Sequence, residues 1–310
     1  MTGTSSRAVR FDHYGDRSVL YVTDVPTPTP EAGEVVVEVR AAAINPGEAA
    51  IRSGALRDRF PATFPSGEGS DLAGTVSAVG NGVDGFAVGD PVLGFSFRRS
   101  SHATHVSVPT SQLIRKPPEL SWEVAGSLYV VGCTAYAAVR AVDAKEGETI
   151  AVAAAAGGVG TVVVQLLALR RSRVLGIASQ ANADWLRSHG AVPVPYGDGL
   201  AERLRAAASE KIDAFIDLFG PEYVELAVDL GIPRDRIETI ASFEKAQELG
   251  VKAEGSATAS TPEVLTEMAN LVASGAIVIP IAATYPLDRV ADAFAELEHR
   301  HTRGKIVLIP

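Results

Sequence analysis

Cysteine is almost absent from the sequence. Cys133 is the single cysteine among 310 residues, which excludes a disulfide within the chain and a zinc site built from four cysteines. Aromatic residues make up 6% and charged residues 21% of the chain, whereas hydrophobic residues make up 46%. This balance is typical of globular proteins and excludes a disordered chain. At roughly 150 residues per domain, the length predicts about two domains.

Positive charge is also scarce. The sequence has 28 Lys and Arg against 37 Asp and Glu, so its formal net charge is −9. Because contacts with the phosphates of a nucleic acid require clustered basic side chains, we expect no nucleic-acid partner. Arg170, Arg171 and Arg173 lie close together in the sequence, and a solvated helix end explains this cluster.

Long hydrophobic runs are rare. No apolar segment follows the polar and basic residues 1–10, so we expect no signal peptide and a cytoplasmic protein. Residues 149–169 form an uncharged stretch of 21 residues, which is long enough to cross a bilayer. However, Gly157, Gly158 and Gly160 interrupt this stretch, and its first half is mostly alanine. A strand, a tight turn and a buried helix explain it better, so we expect no contact with a membrane.

Two patterns of secondary structure follow each other along the chain. Residues 1–120 contain short apolar runs separated by turn signals such as Asn81-Gly82, which is typical of a compact β-barrel or sandwich. From Glu148 onward, predicted strands alternate with predicted helices, which indicates a parallel sheet with right-handed crossovers. The last fifty residues return to a mixed pattern that ends in a strand, Lys305–Ile309.

The elements of the alternating region can be assigned individually. Its predicted strands are residues 149–153, 173–178, 192–194, 212–218 and 236–240. Its predicted helices are residues 159–170, 181–189, 200–208, 222–230 and 243–249. Ahead of this region we expect a short helix capped by Ser121 and a second helix that begins near Cys133. Thr261-Pro262 predicts the start of a later helix, with threonine as the cap and proline in the first helical position.

A glycine-rich turn follows the first strand of the alternating region. Residues 155–160 read Ala-Ala-Gly-Gly-Val-Gly, and an apolar helix comes next, which is the context of a dinucleotide-binding turn. Gly157 would let the backbone approach a pyrophosphate, and Gly160 would let the helix pack closely against the sheet. The free N–H groups at the start of the helix would then bind the phosphates. Ala155 replaces the first glycine of the G-x-G-x-x-G pattern, so the motif is a variant.

The end of the next strand indicates which dinucleotide is bound. An NAD site places Asp or Glu there to bond the ribose 2′-hydroxyl, but residues 177–180 read Ile-Ala-Ser-Gln. Ser179 and Asn182 can donate hydrogen bonds to a 2′-phosphate. The sequence therefore favours NADPH over NADH, although no arginine stands at the strand end.

Several segments together carry a resemblance to a known family. They are residues 42–48 (Ala-Ala-Ile-Asn-Pro-Gly-Glu) with 52–54, residues 69–74 with Gly80, Gly82, Gly89 and Asp90, residues 132–136, residues 155–160 with Gln165, and residues 303–308. With them the chain resembles the medium-chain dehydrogenase/reductase superfamily and, within it, the zinc-free quinone oxidoreductases related to zeta-crystallin. The resemblance covers nearly the whole chain.

The resemblance implies a fold of the α/β class. A GroES-like β-barrel catalytic domain would comprise residues 1–124 and would be completed by residues 262–310. A Rossmann NADP-binding domain with a doubly wound parallel sheet would comprise residues 125–261. Members of the family are often dimers, so a homodimer is implied as well.

The resemblance also implies a set of cofactor-binding residues. Those near the nicotinamide are Asn45, Pro46, Glu48 and Thr134. Those at the pyrophosphate are Ala156, Gly157, Gly158, Val159 and Gly160. Those near the adenosine phosphate are Ser179, Asn182 and Tyr196. Those along the ribose and nicotinamide channel are Phe219, Ile240, Ala241 and Lys305. Two neighbouring segments depart from the family. Residues 240–244 (Ile-Ala-Ser-Phe-Glu) stand where a glycine-rich turn is usual, and residues 231–235 lack the usual paired glycines.

Zinc is not expected. Zinc-dependent relatives place Cys where this chain has Asn45, and His-Glu where it has Ser70-Asp71. His102 and His105 are three residues apart, but no third ligand accompanies them. Without a Lewis acid, hydride addition to a simple ketone leaves a poorly supported oxyanion, whereas a conjugated acceptor spreads the charge.

We therefore expect a zinc-independent, NADPH-dependent oxidoreductase that transfers a hydride to a quinone or another conjugated carbonyl acceptor. The alternatives are an enoyl reductase acting on thioesters or other enones, and a non-catalytic NADPH-binding sensor or structural protein. Asn45 is the candidate catalytic residue, as a donor to the acceptor carbonyl or to the carboxamide, or else it caps a turn. Two further questions stay open. Glu48 is either a general acid or a structural residue. Tyr129 and Tyr136 are either proton donors or packing residues.

Overall fold

The structure of the protein is a computed structural model that describes residues 5–208 and 210–310. The chain divides into two compact units. The first unit comprises the chain up to Val130 together with Thr261–Ala273 and Ile281–Pro310, and the second comprises Val131–Ser260 and Ser274–Pro280. The functional domains expected at residues 1–124 with 262–310 and at 125–261 stay a prediction.

The N-terminal part of the chain is rich in strands. The strands are β1 (Ser5–Phe11), β2 (Tyr21–Pro26), β3 (Glu34–Ala43), β4 (Ser66–Gly67), β5 (Asp71–Val79), β6 (Pro91–Phe95), β7 (His105–Pro109) and β8 (Leu113–Arg115). The helices are α1 (Pro46–Arg52), α2 (Trp122–Ala125) and α3 (Leu128–Ala141). The predicted cap of α2 is confirmed, because the Ser121 hydroxyl accepts the N–H of Val124 at 3.3 Å.

The helix α3 begins five residues earlier than the sequence indicated, at Leu128 rather than near Cys133. Residues 128–132 contain β-branched residues and a glycine, which lower the intrinsic helix propensity. Leu128, Tyr129 and Val131 are nevertheless buried. Tertiary packing therefore extends the helix through a segment whose local propensity is weak.

Strands and helices alternate in the next part of the chain. The strands are β9 (Thr149–Val152), β10 (Arg173–Ala178), β11 (Ala191–Pro195), β12 (Ala214–Asp217) and β13 (Ile237–Thr239). The helices are α4 (Gly158–Leu169), α5 (Ala183–Ser188), α6 (Leu200–Ala207), α7 (Pro221–Asp229) and α8 (Phe243–Leu249). Every predicted element of this region lies within two residues of the observed one at each end.

The C-terminal part returns to the mixed pattern that the sequence indicated. It contains α9 (Pro262–Ala273), β14 (Ile281–Pro286), α10 (Val290–Glu298) and β15 (Lys305–Ile309). The Thr261 hydroxyl accepts the N–H of Val264 at 3.3 Å, which confirms the predicted cap of α9.

The main sheet of the first unit has the strand order β14-β15-β3-β5-β6-β8, with β7 paired to β3, and a smaller sheet has the order β2-β1-β4. The strand β3 pairs antiparallel with β5, β7 and β15. Side chains of Val35, Val37 and Leu72 are buried in its core. The C-terminal strand β15 thus joins the N-terminal sheet, in keeping with the GroES-like β-barrel domain.

The second unit is built on a parallel sheet with the strand order β11-β10-β9-β12-β13. Ala151, Leu175 and Phe215 are buried in its core, with helices packed against it. Such strands are covered on both faces, which explains their nearly continuous apolar sequences. The order reverses at β9, and ligands of doubly wound sheets bind at the carboxyl ends of the strands beside such a reversal. The predicted Rossmann fold is confirmed.

The uncharged residues 149–169 form β9, a turn and α4, as the interrupting glycines predicted. Within the residues that the structure describes, no helix is both long enough and apolar enough to cross a membrane.

Candidate active site

The glycine turn connects β9 to α4 at the reversal point of the parallel sheet. The N–H of Gly157 donates to the carbonyl of Ala154 at 2.9 Å, and the N–H of Ala155 donates to the carbonyl of Ile177 in β10 at 3.0 Å. A Cβ atom on Gly160 would lie 2.1 Å from the carbonyl oxygen of Ala154. Only glycine therefore permits the close approach of α4 to the turn, which confirms the packing role expected of Gly160.

The start of α4 offers donors to an anion. A helix leaves its first N–H groups without intrahelical partners, and here these belong to Gly158, Val159 and Gly160. The positive end of the helix dipole lies at the same place. A Cβ on Gly157 would meet the Ala154 carbonyl at 3.3 Å, and Ala156 is buried. The turn thus has the form of a phosphate-binding backbone.

Two of the residues expected at the adenosine phosphate contact each other. The side-chain amide of Asn182 donates to the Ser179 hydroxyl at 3.0 Å, just after β10. Tyr196 follows β11 and is half-exposed. Sequence reasoning missed Arg203 of α6, whose guanidinium donates to the carbonyls of Pro195, Gly197 and Asp198. Arg203 therefore holds the loop that carries Tyr196 in place. No sequence motif predicts these contacts of Arg203.

Sequence reasoning also missed Asp217, which is completely buried at the end of β12. Its Oδ1 accepts the N–H groups of Phe219 at 2.8 Å and Gly220 at 3.1 Å. Its Oδ2 accepts the hydroxyl of Thr239, at the end of β13, at 2.7 Å. Burial raises the pKa of Asp217, whereas these donors favour the charged carboxylate. The only sequence signal was an acidic residue ending an apolar strand.

Thr239 extends this network into the loop after β13. Its Oγ1 accepts the N–H groups of Ala241 at 3.2 Å and Ser242 at 3.1 Å. One carboxylate and one hydroxyl thus hold the two loops that carry Phe219, Ile240 and Ala241. The loop that departs from the family's glycine-rich turn is held by side-chain oxygens.

A second group of predicted residues meets in the first unit. Asn45 precedes α1, and Pro46 is the first residue of that helix. The Asn45 side-chain nitrogen donates to Asp71 at 2.9 Å and to Glu48 at 3.2 Å, and the Asn45 side-chain oxygen accepts from Lys305 at 2.5 Å. Each of these four residues is at most 5% exposed. Asn45, Glu48, Asp71 and Lys305 are called the Asn45 cluster below.

Glu48 acts in this cluster as an acceptor. Its carboxylate accepts the backbone N–H of Asn45 at 2.8 Å and that of Ser70 at 2.9 Å, as well as the Asn45 amide. These three N–H groups engage both carboxylate oxygens of Glu48 and hold the side chain in place. The geometry therefore favours the structural alternative for Glu48 over that of a general acid.

Lys305 supplies the positive charge of the cluster. Its ammonium donates to the Ile44 carbonyl at 3.1 Å and lies 3.5 Å from the Asp71 carboxylate. Asp71 also accepts the N–H of Val130 at 2.8 Å. Burial raises the pKa of Asp71, and the Lys305 ammonium and the donated N–H groups oppose this shift.

The side chains at positions 45 and 71 do not suit the coordination of zinc. Zinc prefers thiolate, imidazole and carboxylate ligands in a tetrahedral arrangement. Here the amide nitrogen of Asn45 faces the carboxylates of Asp71 and Glu48, and the Lys305 ammonium lies within 3.5 Å of an oxygen of Asn45 and of Asp71. A second cation beside this ammonium would be repelled.

The histidines offer no alternative metal site. His102 is completely buried and its Nε2 donates to the Ala43 carbonyl at 3.1 Å, while His105 is only partly buried in β7. Cys133 is buried in α3. In the part of the chain that the structure describes, no three His, Cys, Asp or Glu side chains form a group that could hold a metal ion.

Aromatic side chains lie next to the Asn45 cluster. Phe95 pairs with Asp71 across β5 and β6, and it is buried. Its ring stacks on Tyr129 at 4.1 Å and meets Phe97 edge-on at 4.7 Å, and Phe97 is 58% exposed. Tyr129 therefore has the packing role that was one of its two alternatives. Thr134 is buried in α3.

Two family models match the chain in separate regions. Residues 31–150 match the alcohol dehydrogenase GroES-like domain. Residues 189–308 match the zinc-binding dehydrogenase family.

Named relatives match over nearly the full length. A quinone oxidoreductase from Pseudomonas aeruginosa is 30% identical and covers 98% of this chain and 100% of its own. The chloroplast envelope quinone oxidoreductase homolog of Arabidopsis thaliana is 29% identical over the whole of both chains.

Solved structures agree with these relatives. The crystal structure of Escherichia coli quinone oxidoreductase complexed with NADPH superposes with a TM-score of 0.88 at 27% identity, covering 98% of this chain and 100% of that chain. The quinone oxidoreductase of Coxiella burnetii superposes with a TM-score of 0.87 at 28% identity, covering 99% and 100%. With its GroES-like and Rossmann folds, the chain therefore belongs to the quinone oxidoreductase family of the medium-chain dehydrogenase/reductase superfamily, as its sequence resemblance predicted.

Proposed function

We propose that the protein is a zinc-independent, NADPH-dependent oxidoreductase that reduces a quinone or another conjugated carbonyl compound. The observation that carries the proposal is the turn at Gly157–Gly160, whose close packing and free N–H groups suit a dinucleotide pyrophosphate. The E. coli relative complexed with NADPH supports the choice of cofactor.

Residues of the second unit would hold the cofactor. The N–H groups of Gly158, Val159 and Gly160 would bind the pyrophosphate, and Ser179 and Asn182 would donate to the 2′-phosphate. When bound, the reduced nicotinamide supplies the hydride. The loops organised by Asp217 and Thr239, which carry Phe219, Ile240 and Ala241, would flank the ribose and nicotinamide. Thr134 would lie near the nicotinamide, and Tyr196 near the adenosine phosphate.

The Asn45 cluster supports a conjugated acceptor. Hydride addition to a simple ketone creates a localised alkoxide, which needs a Lewis acid or a positioned proton donor. The side chains of this cluster do not suit zinc, because the Lys305 ammonium already lies beside the oxygens of Asn45 and Asp71. A quinone or enone instead spreads the negative charge over its conjugated system. Because Glu48 and Asp71 act as acceptors, the proton that completes the reduction would come from solvent.

The test is a comparison of acceptors with NADPH as reductant. Consumption of NADPH is followed with quinones, with an enoyl thioester and with unconjugated ketones, in the presence and absence of a metal chelator. We expect turnover with quinones, no effect of the chelator and no turnover with the ketones. Faster reduction of the thioester would favour the enoyl reductase, and tight NADPH binding without turnover would indicate a non-catalytic protein.

A further inference from the structure

The contacts of the Lys305 ammonium lie within the first unit and point towards the Asn45 cluster. It donates to the Ile44 carbonyl at 3.1 Å and to the Asn45 side-chain oxygen at 2.5 Å, and it faces the Asp71 carboxylate at 3.5 Å. Two N–H bonds of the ammonium are thus used in hydrogen bonds, and the Asp71 carboxylate lies at ion-pair distance. Lys305 was expected to bind the cofactor, but its contacts point into the protein and leave it 4% exposed.

The surroundings of Asn45 allow only one orientation of its amide. An ammonium can only donate and a carboxylate can only accept, so the Asn45 oxygen must face Lys305. The Asn45 nitrogen must then face Asp71 and Glu48, and both of its hydrogens are engaged there. Rotating the amide by half a turn would set N–H against the ammonium and oxygen against two carboxylates. The remaining capacity of the Asn45 side chain is a lone pair on its oxygen.

We propose that the Lys305 ammonium takes the place of a metal ion in this chain and fixes the polarity of Asn45, so that Asn45 presents an acceptor to the cofactor carboxamide. Its position supports this reading, because it lies between oxygens of residues 45 and 71, where zinc-dependent relatives carry Cys and the Glu of His-Glu. Asn45 would then be the residue that touches the cofactor, in the opposite sense to the donor that the sequence suggested. Lys305 is a positioning residue that acts through Asn45. This inference rests on the proposed function.

The experiment compares variants that remove the charge or retain it. Lys305→Met removes the ammonium but keeps the length of the side chain, and Lys305→Arg keeps the charge. Lys116→Met is the matched control, because the Lys116 ammonium also donates to two oxygens, which here are the backbone carbonyls of Pro117 and Leu120. For each variant we measure kcat and KM with a quinone, the dissociation constant of NADPH by its fluorescence, and the melting temperature.

We expect Lys305→Met to lower kcat by roughly 10- to 100-fold, the size of effect that misplaced reacting groups produce. The dissociation constant of NADPH changes less than kcat, because the phosphate contacts remain. Lys305→Arg recovers part of kcat, and Lys116→Met leaves kcat unchanged. An unchanged kcat in Lys305→Met would overturn the proposal.

A double variant separates positioning from stability. In Lys305→Met/Asp71→Asn the buried charge is balanced again, so the melting temperature rises above that of Lys305→Met. The kcat stays low, because no cation sets the polarity of the Asn45 amide. If kcat recovered together with the melting temperature, Lys305 would be a purely structural residue and the proposal would be wrong.

Metal analysis tests the same inference without turnover. We expect the wild-type chain, exposed to excess Zn²⁺ and then dialysed, to retain no stoichiometric zinc. Zinc that stays bound in the wild type and is lost in Asp71→Asn would overturn the inference. Should the wild type reduce no acceptor at all, the proposed function fails, whereas zinc content and the melting temperature of the double variant still decide whether Lys305 replaces a metal ion.

Discussion

Two aspartates, one in each unit, are completely buried but are stabilised in different ways. Asp71 in the first unit lies beside the ammonium of Lys305, whereas Asp217 in the second unit is surrounded by neutral donors, two backbone N–H groups and the Thr239 hydroxyl. A buried carboxylate requires either an opposite charge or several hydrogen bonds. In the first unit a buried ammonium therefore balances the charge of the aspartate. In the second unit the dipoles of N–H and hydroxyl groups stabilise it.

This difference matches the chemistry proposed for each unit. In the first unit the Lys305 ammonium fixes the polarity of the Asn45 amide, which would contact the cofactor. The cofactor already carries anionic phosphates, which backbone N–H groups at a helix start can bind without a side-chain cation. In the second unit the task of Asp217 is to hold two loops in place.

The largest expected effect comes from breaking the charged arrangement. Asp71→Asn leaves the buried ammonium of Lys305 without its counter-ion, and the loss of one partner of a buried pair destabilises a protein by roughly 3–5 kcal/mol. Urea unfolding measures this loss. Asp90→Asn is the matched control, since Asp90 also accepts a backbone N–H, from Ala87, and pairs with a cation, Arg115, near the surface. An equal loss of unfolding free energy in both variants would show that the buried pair contributes no more than the pair near the surface.

The second prediction concerns a buried carboxyl group whose burial outweighs the effect of a nearby cation, Lys252. Glu238 in β13 is completely buried and accepts the N–H of Glu254 at 2.6 Å. Burial raises the pKa of Glu238 to about 8. Because the folded state keeps the proton while the unfolded state loses it, this group stabilises the fold most below the ordinary pKa of glutamate, and the contribution is lost as the pH rises towards about 8.

We therefore expect the free energy of unfolding of the wild type to fall between about pH 5 and pH 8, on the order of 3 kcal/mol from this group. Glu238→Gln should show a shallower decline over the same range. Denaturant unfolding at several pH values measures the difference. Parallel curves for the two proteins would mean that Glu238 is not protonated in the fold.

The third prediction breaks the dipolar arrangement. Asp217→Asn replaces one acceptor oxygen by a donor that faces the Thr239 hydroxyl or the loop N–H groups, which we expect to destabilise the protein by about 1–3 kcal/mol. The dissociation constant of NADPH should rise as well, because the loop that carries Phe219 loses its anchor. Fluorescence titration and urea unfolding measure the two effects.

A control for this variant lies in the same sheet, at the opposite ends of the strands. The carboxylate of Asp213 accepts the N–H of Thr149 at 2.9 Å, at the amino ends of the strands. Asp213→Asn should reduce stability without changing the affinity for NADPH. Equal losses of affinity in Asp213→Asn and Asp217→Asn would show that the effect on NADPH is not local.

The smallest effect is expected from adding a charge to the second unit. Ser179→Asp places a carboxylate at the end of β10, where an NAD site carries an acid. The KM for NADPH should rise and that for NADH should fall, each by roughly tenfold, about 1.4 kcal/mol. Ser179→Ala is the control for loss of the hydroxyl alone. If Ser179→Asp and Ser179→Ala behaved alike, no 2′-phosphate would lie near this residue.

Local patterns carried much of the prediction. The strands and helices between residues 149 and 249 follow from short apolar runs and helical stripes, which depend on neighbours within a few residues. The turn at Gly157–Gly160 was recognised because its residues are contiguous. Where local propensity and packing disagree, as in residues 128–132 of α3, the prediction was wrong.

Only part of the candidate site could be predicted from the sequence. The resemblance pointed to Asn45, Glu48 and Lys305 as site residues, but it assigned no role to Asp71 in the folded chain and none to Asp217 or Thr239. The polarity of the Asn45 amide depends on Lys305, which lies 260 positions away in the sequence. A pattern of residue types does not tell which oxygen an ammonium will face.

The sequence by itself determined the two kinds of architecture and the phosphate-type turn, because periodicity and glycine placement act over short distances. Only the tertiary structure decided how the buried charges are balanced. Pairing β15 with β3 brings Lys305 to Asn45 and Asp71, and placing β12 beside β13 brings Asp217 to Thr239. The physical reason is that a buried charge depends on its neighbours in space, which are set once distant strands have paired.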